Sequence, residues 1–242
     1  MNLAIINRPR VAPYQATYQV AKRVMDLALC LLALPLVIPV MAICALAIRL
    51  SSPGPVFFGQ DRIGKGGRRF RIYKFRTMQT DIDDSSHRDF MKAYVRGTIG
   101  CGSSYSTAFI KAFVRRQSHV ESNGEIYKPF RAMQVTPIGR ILRKTSLDEL
   151  PQLINVIKGE MSIVGPRPNV PWEVEEYRGW HHERLEVLPG ITGLAQVRGR
   201  SSLNFDSIVN YDIEYIENQS LWMDLKILWW TLMVALGGRG SK

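Results

Sequence analysis

A run of 22 consecutive apolar residues near the N-terminus, from Leu27 to Ile48, constrains the fold of this chain more than any other feature. About 20 apolar residues of helix are needed to cross the hydrocarbon core of a bilayer, so a run of this length is typical of a membrane segment. A soluble core helix of this length normally keeps a polar face, and a secretory signal is shorter and ends at a cleavage site. We therefore expect the segment to be retained and to anchor the mature protein in a membrane.

Two prolines, Pro35 and Pro39, interrupt this run. Each removes a backbone donor and clashes with the preceding turn, so we expect a sharp bend. Basic residues flank both ends, with Lys22 and Arg23 before the run and Arg49 after it. The preference of basic flanks for the cytoplasm therefore does not choose between a kinked single span and a re-entrant segment that returns to the same face. Both topologies stay open at this point.

The charge balance points to polyanionic partners. The chain has 32 Lys and Arg against 21 Asp and Glu, a formal net charge of +11, which suits nucleic acid, an anionic membrane face or phosphorylated substrates. Seven basic residues and no acidic one lie between Arg62 and Arg76. This patch follows the membrane segment and suits anionic lipid head groups or a substrate's phosphates. No nucleic acid partner is expected, because no recognition helix, RNP-like motif or zinc spacing accompanies the charge.

The sequence divides into an N-terminal segment 1–20, a membrane-inserted segment 21–52 and a cytoplasmic domain 53–242. Three cysteines cannot form a disulfide framework, which indicates a reducing compartment. The domain opens with two expected strands, 56–58 and 70–75, joined by a glycine-rich turn into a β-hairpin.

Two further parts of the domain differ in how much they reveal. Region 80–131 mixes charges with a small polar tract, and we treat it as an inserted subregion that contains one short helix, 108–116. Near the C-terminus, segment 221–236 combines tryptophans with a few charges. It suits an amphipathic helix that lies in the membrane interface, with a packed core helix as the alternative.

The strongest candidate for chemistry is the pair Asp148 and Glu149. Apolar residues follow the pair at helical spacing, at positions 150, 153, 154 and 157, so we predict an amphipathic helix that ends at Gly159 and leaves both carboxylates accessible. A structural interpretation competes with the chemical one: Ser146 and Glu149 have the spacing of a capping box, and Asp148 could itself be the N-cap.

Context favours chemistry at this pair. Adjacent carboxylates at a positive helix N-terminus suit phosphoryl transfer, since one can attack phosphorus while the other holds Mg²⁺. Two downstream loops supply cations. Segment 165–168 follows an expected strand, 161–164, and its prolines restrict the position of Arg167. The glycine-rich segment 189–200 ends in Arg198 and Arg200.

Several stretches resemble, in the same order, the bacterial sugar transferase family, the monotopic phosphoglycosyl transferases. The matching stretches are Pro53–Arg62, Tyr73–Met78, Arg143–Leu153, Asn155–Pro168, Pro189–Arg200 and Tyr211–Tyr215. They extend over nearly the whole chain apart from the first twenty residues and region 80–131. The resemblance implies a helix-rich α/β domain, of α+β type, anchored in the membrane.

The resemblance also implies a reaction. Asp148 would attack the sugar-bearing phosphorus of a UDP-sugar, UMP would leave, and polyprenyl (undecaprenyl) phosphate would then take the sugar phosphate from Asp148. Glu149 corresponds to the Mg²⁺ ligand of the family. The polar positions that surround its site correspond to Lys74, Arg143, Arg167, Arg200 and Asp212.

The resemblance favours the re-entrant topology, because members of the family use a membrane helix broken at a proline, which Pro39 matches. Smaller relatives have Ser before this proline where this chain has Ile38, so we expect Pro35 to share the kink. The implied location is the cytoplasmic face of the bacterial inner membrane, with anionic lipids as further partners. Glucose, galactose and N-acetyl hexosamine donors, and a homo-oligomer, are all compatible with the sequence.

Overall fold

Helices of very different lengths surround two small β-sheets. The structure, a computed structural model, describes residues 16–79, 85–97, 135–199 and 203–236. The helices and strands are α1 (Ala16–Ser51), β1 (Phe57–Ile63), β2 (Arg69–Phe75), α2 (Ser85–Val95), α3 (Pro137–Lys144), α4 (Leu153–Lys158), β3 (Ser162–Val164), α5 (Pro171–Val174), β4 (Gly190–Thr192), α6 (Leu194–Arg198), α7 (Phe205–Glu217) and α8 (Leu221–Leu236). Short 3-10 helices occupy Lys65–Gly67, Leu147–Gln152 and Gly179–Leu185. The helix-rich α/β class expected from the sequence is confirmed.

Within the described residues, α1 is the helix that is long and apolar enough to cross a membrane. It has 36 residues and keeps its helical assignment through Pro35 and Pro39, so the predicted break is not visible as an interruption of the helix and stays a prediction. Many of its apolar side chains are exposed, as are Leu32 and Leu36 at 80% and 74%. An exposed apolar surface of this size is typical of a site that contacts a membrane or another protein.

The charged residues at the start of α1 bind the rest of the protein. Arg23 donates to the carbonyl of Val156 near the end of α4 at 2.6 Å, where a cation offsets the negative end of the helix. Asp26 is buried and accepts a hydrogen bond from the Ser162 hydroxyl at the start of β3 at 2.7 Å. In the sequence Arg23 is only a basic flank of a membrane segment, whereas in the structure Arg23 and Asp26 dock α1 onto the domain.

Both halves of α1 join buried clusters that include residues of β2. Cys30, in the first half, lies in a buried cluster with Ile72 of β2. Cys44 and Ile48, in the second half, lie in another buried cluster with Phe75 at the end of β2. The two ends of the apolar run are therefore held by one body.

The predicted β-hairpin is confirmed. β1 and β2 pair antiparallel, with Phe57 opposite Phe75 at the open end. The turn contains Gly66 and Gly67 at φ of 65° and 77°, a conformation that favours glycine. After β2, the guanidinium of Arg76 donates to the carbonyl of Ser52 at 2.8 Å and so ties the hairpin to the end of α1.

The second sheet joins the two glycine-rich segments. β3 and β4 pair in parallel, and β3 confirms the strand expected at 161–164. Segment 189–200 was expected to be a loop, but it contains β4 and α6. A Cβ on Gly190 would lie 2.1 Å from the amide nitrogen of Gly165. The two backbone segments approach this closely only because neither carries a side chain there.

The helix predicted around Asp148 and Glu149 is only partly correct. The pair lies in the 3-10 helix Leu147–Gln152, and the α-helix begins afterwards, at Leu153. That helix ends at Gly159 with φ of 82°, as predicted. The capping interpretation is wrong. The backbone of Ser146 is in the left-handed region and its side chain makes no capping hydrogen bond, and Asp148 does not occupy the N-cap.

The buried side of α4 also differs from the predicted one. Ile154 and Ile157 are 42% and 43% exposed, whereas Asn155 is completely buried. Asn155 accepts from the backbone amide of Tyr73 at 3.2 Å and donates to the carbonyl of Arg71 at 2.8 Å. The inward side of α4 therefore carries Asn155, with its two hydrogen bonds to β2, and the completely buried Val156, rather than the predicted apolar stripe.

The inserted region 80–131 contributes α2, a helix that the sequence analysis did not predict. The buried side chains Phe90 and Val95 of α2 pack with Phe205 and Val209 of α7. The short helix expected at 108–116 lies outside the described residues. The C-terminal helix α8 has the predicted bounds, 221–236.

Candidate active site

Glu149 lies at the centre of a cluster of charges. Its Oε1 atom accepts from Lys74 Nζ at 3.1 Å and from Arg167 Nη2 at 2.9 Å. The side chains of Lys74 and Glu149 are 16% and 20% exposed, while that of Arg167 is 48% exposed. The structure thus brings together three predicted site residues from β2, from the 3-10 helix and from the loop after β3.

The charges of this cluster shift the pKa values of its members. Burial opposes ionisation of Glu149, but the positive charges of Arg167 and Lys74 outweigh it and lower the pKa of Glu149 to about 2. Burial and the neighbouring Arg167 charge lower the pKa of Lys74 to about 8. At neutral pH the cluster therefore holds one carboxylate and two cations, and its single excess positive charge suits a phosphate-bearing ligand.

Asp148 differs from its neighbour. Burial and the negative charge of Glu149 raise the pKa of Asp148, although Lys74, Arg143 and Arg167 act in the opposite direction. Across the described parts of the chain, no hydrogen bond or ion pair to the Asp148 carboxylate is formed. A carboxylate that is half-buried, uncommitted and less acidic than usual is well suited to act as a nucleophile.

Arg143 reaches the pair from the last turn of α3. Thr136 caps the start of this helix by accepting a hydrogen bond from the amide of Gly139 at 2.9 Å. Arg143 Nε donates to Thr77 Oγ1 at 2.9 Å, just beyond the end of β2. Burial lowers the pKa of Arg143 and attraction to Asp148 raises it, so the guanidinium lies within the electrostatic field of the pair.

The loop that carries Arg167 is held at four successive backbone carbonyls. The donors are the Gly190 amide to Pro166 at 2.9 Å, Arg184 Nη2 to Arg167 at 3.1 Å, Arg62 Nη1 to Pro168 at 3.0 Å and the Ile63 amide to Asn169 at 2.9 Å. These donors belong to different parts of the chain, so the direction of Arg167 is determined by tertiary structure as well as by the rigid prolines predicted to set it.

Sequence analysis missed the importance of Arg62. It appears there only as one of seven basic residues, but in the structure it is half-buried and also donates to Gln60 Oε1 at 2.6 Å. Burial lowers the pKa of Arg62 to about 10. No local sequence signal separates Arg62 from the other six, because the partner that distinguishes it, Pro168, is over a hundred residues away.

The structure does not bring Asp212 to the pair. Its side chain is 2% exposed and forms an ion pair with Arg184 at 2.6 Å. Burial raises the pKa of Asp212 to about 6 although Arg184 opposes the shift. A role for Asp212 at the substrate stays a prediction, and Arg200 lies outside the described residues.

The donor set near the pair fits Mg²⁺. In the described ranges no group of three or more His, Cys, Asp or Glu residues could hold a metal ion. Mg²⁺, however, is usually bound through one or two carboxylates, substrate phosphates and waters. Oε2 of Glu149 and both carboxylate oxygens of Asp148 make no hydrogen bond to any described group, so these oxygens are available for such a site.

Curated relatives match the chain over most of its length. One is the galactosyl transferase CpsE of Streptococcus agalactiae serotype III (strain NEM316), 36% identical over 95% of this chain and 45% of that protein. Another is the exopolysaccharide production protein ExoY of Rhizobium meliloti (strain 1021), 36% identical over 91% of this chain and 88% of that protein. A third is the UDP-glucose:undecaprenyl-phosphate glucose-1-phosphate transferase of Escherichia coli (strain K12), 36% identical over 91% of this chain and 41% of that protein.

The chain spans less than half the length of two of these three relatives. The family model described as bacterial sugar transferase matches residues 17–238, which include every described element except the first residue of α1. On this match and on 36% identity across nine tenths of the chain, the protein belongs to the bacterial sugar transferase family.

Proposed function

We propose that this protein transfers a sugar 1-phosphate from a UDP-sugar to undecaprenyl phosphate, yielding undecaprenyl diphosphate sugar and UMP. One observation carries the proposal: an uncommitted Asp148 carboxylate lies beside a Glu149 carboxylate that is bound by two cations at 3.1 and 2.9 Å. The name of the Escherichia coli relative specifies this class of donor, acceptor and transferred group.

In the first step an oxygen of Asp148 attacks the sugar-bearing phosphorus of the donor. A bond forms between that oxygen and phosphorus, and the bond from phosphorus to the bridging oxygen breaks, so UMP leaves with the electron pair. Lys74 and Arg167 can balance the charge of the diphosphate as it accumulates on the leaving phosphate. An aspartyl phospho-sugar remains on Asp148.

In the second step a phosphate oxygen of undecaprenyl phosphate attacks the same phosphorus. The bond to Asp148 breaks and its carboxylate is regenerated, without any proton transfer. Splitting the reaction suits two polyanionic substrates, because they then occupy the cationic site in turn.

Glu149 would hold Mg²⁺ together with the donor's phosphates, and the ion would supply further neutralisation of their charge. Binding of Lys74 and Arg167 to Oε1 leaves Oε2 of Glu149 for this purpose. In each step, these residues keep the Glu149 carboxylate in place and ionised.

We further propose that α1 is re-entrant. Its two halves join two buried clusters of the same domain, one that contains Cys30 and Ile72 and one that contains Cys44 and Phe75. Ends held by one folded domain cannot lie on opposite faces of a bilayer, so the apolar middle would enter one leaflet and return, with the bend at Pro35 and Pro39.

The acceptor's chemistry requires a site at the membrane surface. Helices α3 and α4, on either side of the catalytic pair, both contact α1 and expose Ile141, Ile154 and Ile157. Helix α8 exposes Trp222 and Trp229, which suit the level of the head groups. The pair would then lie where the phosphate of undecaprenyl phosphate emerges from lipid, on the cytoplasmic face of the inner membrane.

A labelling experiment tests the topology. In a variant whose three cysteines are replaced by serine, Thr17→Cys and Ser51→Cys place single thiols at exposed positions at the two ends of α1. We expect a membrane-impermeant maleimide to label both in inside-out vesicles and neither from the periplasmic side. Leu36→Cys, in the middle of the run, is the control and should resist labelling from either side. Labelling of the two ends from opposite faces would establish a single span and contradict re-entrance.

The proposed reaction predicts UMP formation from a donor panel. The purified full chain, in nanodiscs with undecaprenyl phosphate and Mg²⁺, is incubated with UDP-glucose, UDP-galactose and their N-acetyl hexosamine counterparts. We expect one of these donors to release UMP and form a diphosphate-linked lipid, and EDTA to stop both until Mg²⁺ is restored. Absence of UMP with every donor, from folded protein in the bilayer, would contradict the assignment to UDP-sugars.

A further inference from the structure

The side chain of Arg184 is the most completely enclosed cation near the Arg167 loop. It extends from the 3-10 helix Gly179–Leu185, and its side chain is 2% exposed. Its guanidinium lies over the ring of Phe205, at 5.7 Å from the centroid, and donates to the hydroxyl of Tyr177 at 3.1 Å. Nη2 forms the ion pair with Asp212 at 2.6 Å.

The same guanidinium holds the loop at two points. Nη1 donates to the side-chain oxygen of Asn169 at 2.8 Å, and Nη2 donates to the carbonyl of Arg167 at 3.1 Å. One of the four anchored carbonyls is that of Arg167, the residue whose side chain pairs with Glu149. Arg184 acts at the base of the side chain that the site uses.

A buried ion pair is weak evidence for stability alone. Removing two charges from water is costly, and pairs of this kind can often be replaced by apolar side chains without loss of stability. The planar fork of arginine, in contrast, positions several acceptors at once. An arginine whose fork joins Asp212, Asn169 and the backbone of Arg167 is suited to fixing geometry.

We propose that Arg184 is a positioning residue, which holds the backbone at Arg167 so that the Arg167 side chain meets Glu149. This inference rests on the proposed function for its effect on catalysis. Arg184 is too enclosed to touch a substrate. It acts through Arg167, whose side chain is 48% exposed and needs its backbone fixed to keep one direction.

A double-mutant cycle tests the inference. Arg184→Met, Arg167→Met and the double variant are compared in UMP release, with kcat and KM determined separately. A displacement of about 1 Å at a catalytic group can cost roughly 100-fold, so we expect Arg184→Met to lower kcat by about 10- to 100-fold. In the Arg167→Met background the same change should have little further effect.

The matched control is Arg178→Met, which removes another arginine that pairs with an aspartate, at 3.0 Å from Asp206, but from a side chain that is 49% exposed. It should leave kcat unchanged. Arg184→Lys preserves the charge beside Asp212 without the fork, and it should fold even where Arg184→Met does not. We expect a kcat between those of the wild type and Arg184→Met.

Hydrogen exchange of the peptide covering residues 165–170 provides a measurement that does not depend on activity. We expect faster exchange of this peptide in Arg184→Met and Arg184→Lys, and no change in Arg178→Met. Unchanged exchange would overturn the inference, and so would multiplicative kcat effects in the cycle or a lowered thermal midpoint with the kcat of the wild type. If the wild type releases no UMP from any UDP-sugar, the proposed function fails by itself and the exchange rates alone decide whether Arg184 holds the loop.

Discussion

Asp148→Asn should abolish catalysis while leaving the protein folded. Loss of a nucleophile that works as part of a unit costs roughly 10⁴- to 10⁶-fold in kcat, so we expect UMP release to fall below about one part in 10⁴ of the wild-type rate. Intact-mass spectrometry after incubation with the donor alone should detect a sugar phosphate adduct on the wild type and none on the variant.

The stability of this variant should not fall. Burial and the adjacent Glu149 charge raise the pKa of Asp148, which means that the folded protein disfavours the ionised form. A neutral amide of the same size removes this conflict. We therefore expect the thermal unfolding midpoint of Asp148→Asn to equal or exceed that of the wild type.

Asp61→Asn is the matched control, because Asp61 is an exposed aspartate on β1. It should leave UMP release and the unfolding midpoint unchanged. If Asp148→Asn kept a tenth of the wild-type rate, or if it still formed the adduct, Asp148 could not be the nucleophile.

Asp224→Ala should produce a large loss of stability. The Asp224 side chain is completely buried and forms an ion pair with Lys22 at 2.9 Å. It also accepts hydrogen bonds from the hydroxyls of Tyr18 at 2.9 Å and Tyr215 at 2.7 Å. These contacts join the start of α1 to α7 and α8. Removing one partner of a buried pair costs about 3–5 kcal/mol, because the other charge stays buried without compensation.

For a chain of this size we expect the unfolding midpoint to fall by about 10 °C, as measured by thermal unfolding in nanodiscs. The control Asp61→Ala should change the free energy of unfolding by less than about 0.5 kcal/mol. Adding Lys22→Met to Asp224→Ala should recover part of the loss, since the uncompensated charge is then gone. An unchanged midpoint in Asp224→Ala would contradict the docking role of this network.

The role of Asp224 shows why sequence patterns describe some features and not others. In segment 221–236 the sequence indicates only a charge that weakens a clean apolar span. Its acceptor role depends on Lys22 and Tyr18, about two hundred residues earlier. Burial of a charge is acceptable only where other elements supply partners, and no periodicity reports such partners.

The difference between local patterns and distant partners also applies to the candidate site. Local sequence was sufficient to predict the apolar segment, the hairpin, the end of α4 at Gly159 and the adjacent carboxylates, because each depends on local spacing or on the conformational limits of glycine and proline. The order of the motifs was sufficient to indicate the family. The pair Asp148 and Glu149 was predicted as a candidate site because its residue types are distinctive, and its catalytic role stays a prediction.

How these parts fit together depends on long-range contacts, which the fold shows. It showed that Glu149 binds Lys74 and Arg167 rather than capping a helix, and that Asn155 rather than the isoleucines of α4 faces inward. It also showed that Arg184 donates to the carbonyl of Arg167 from behind the loop. In each case a buried polar group found partners from distant parts of the chain, and the free energy of satisfying it outweighed the local pattern.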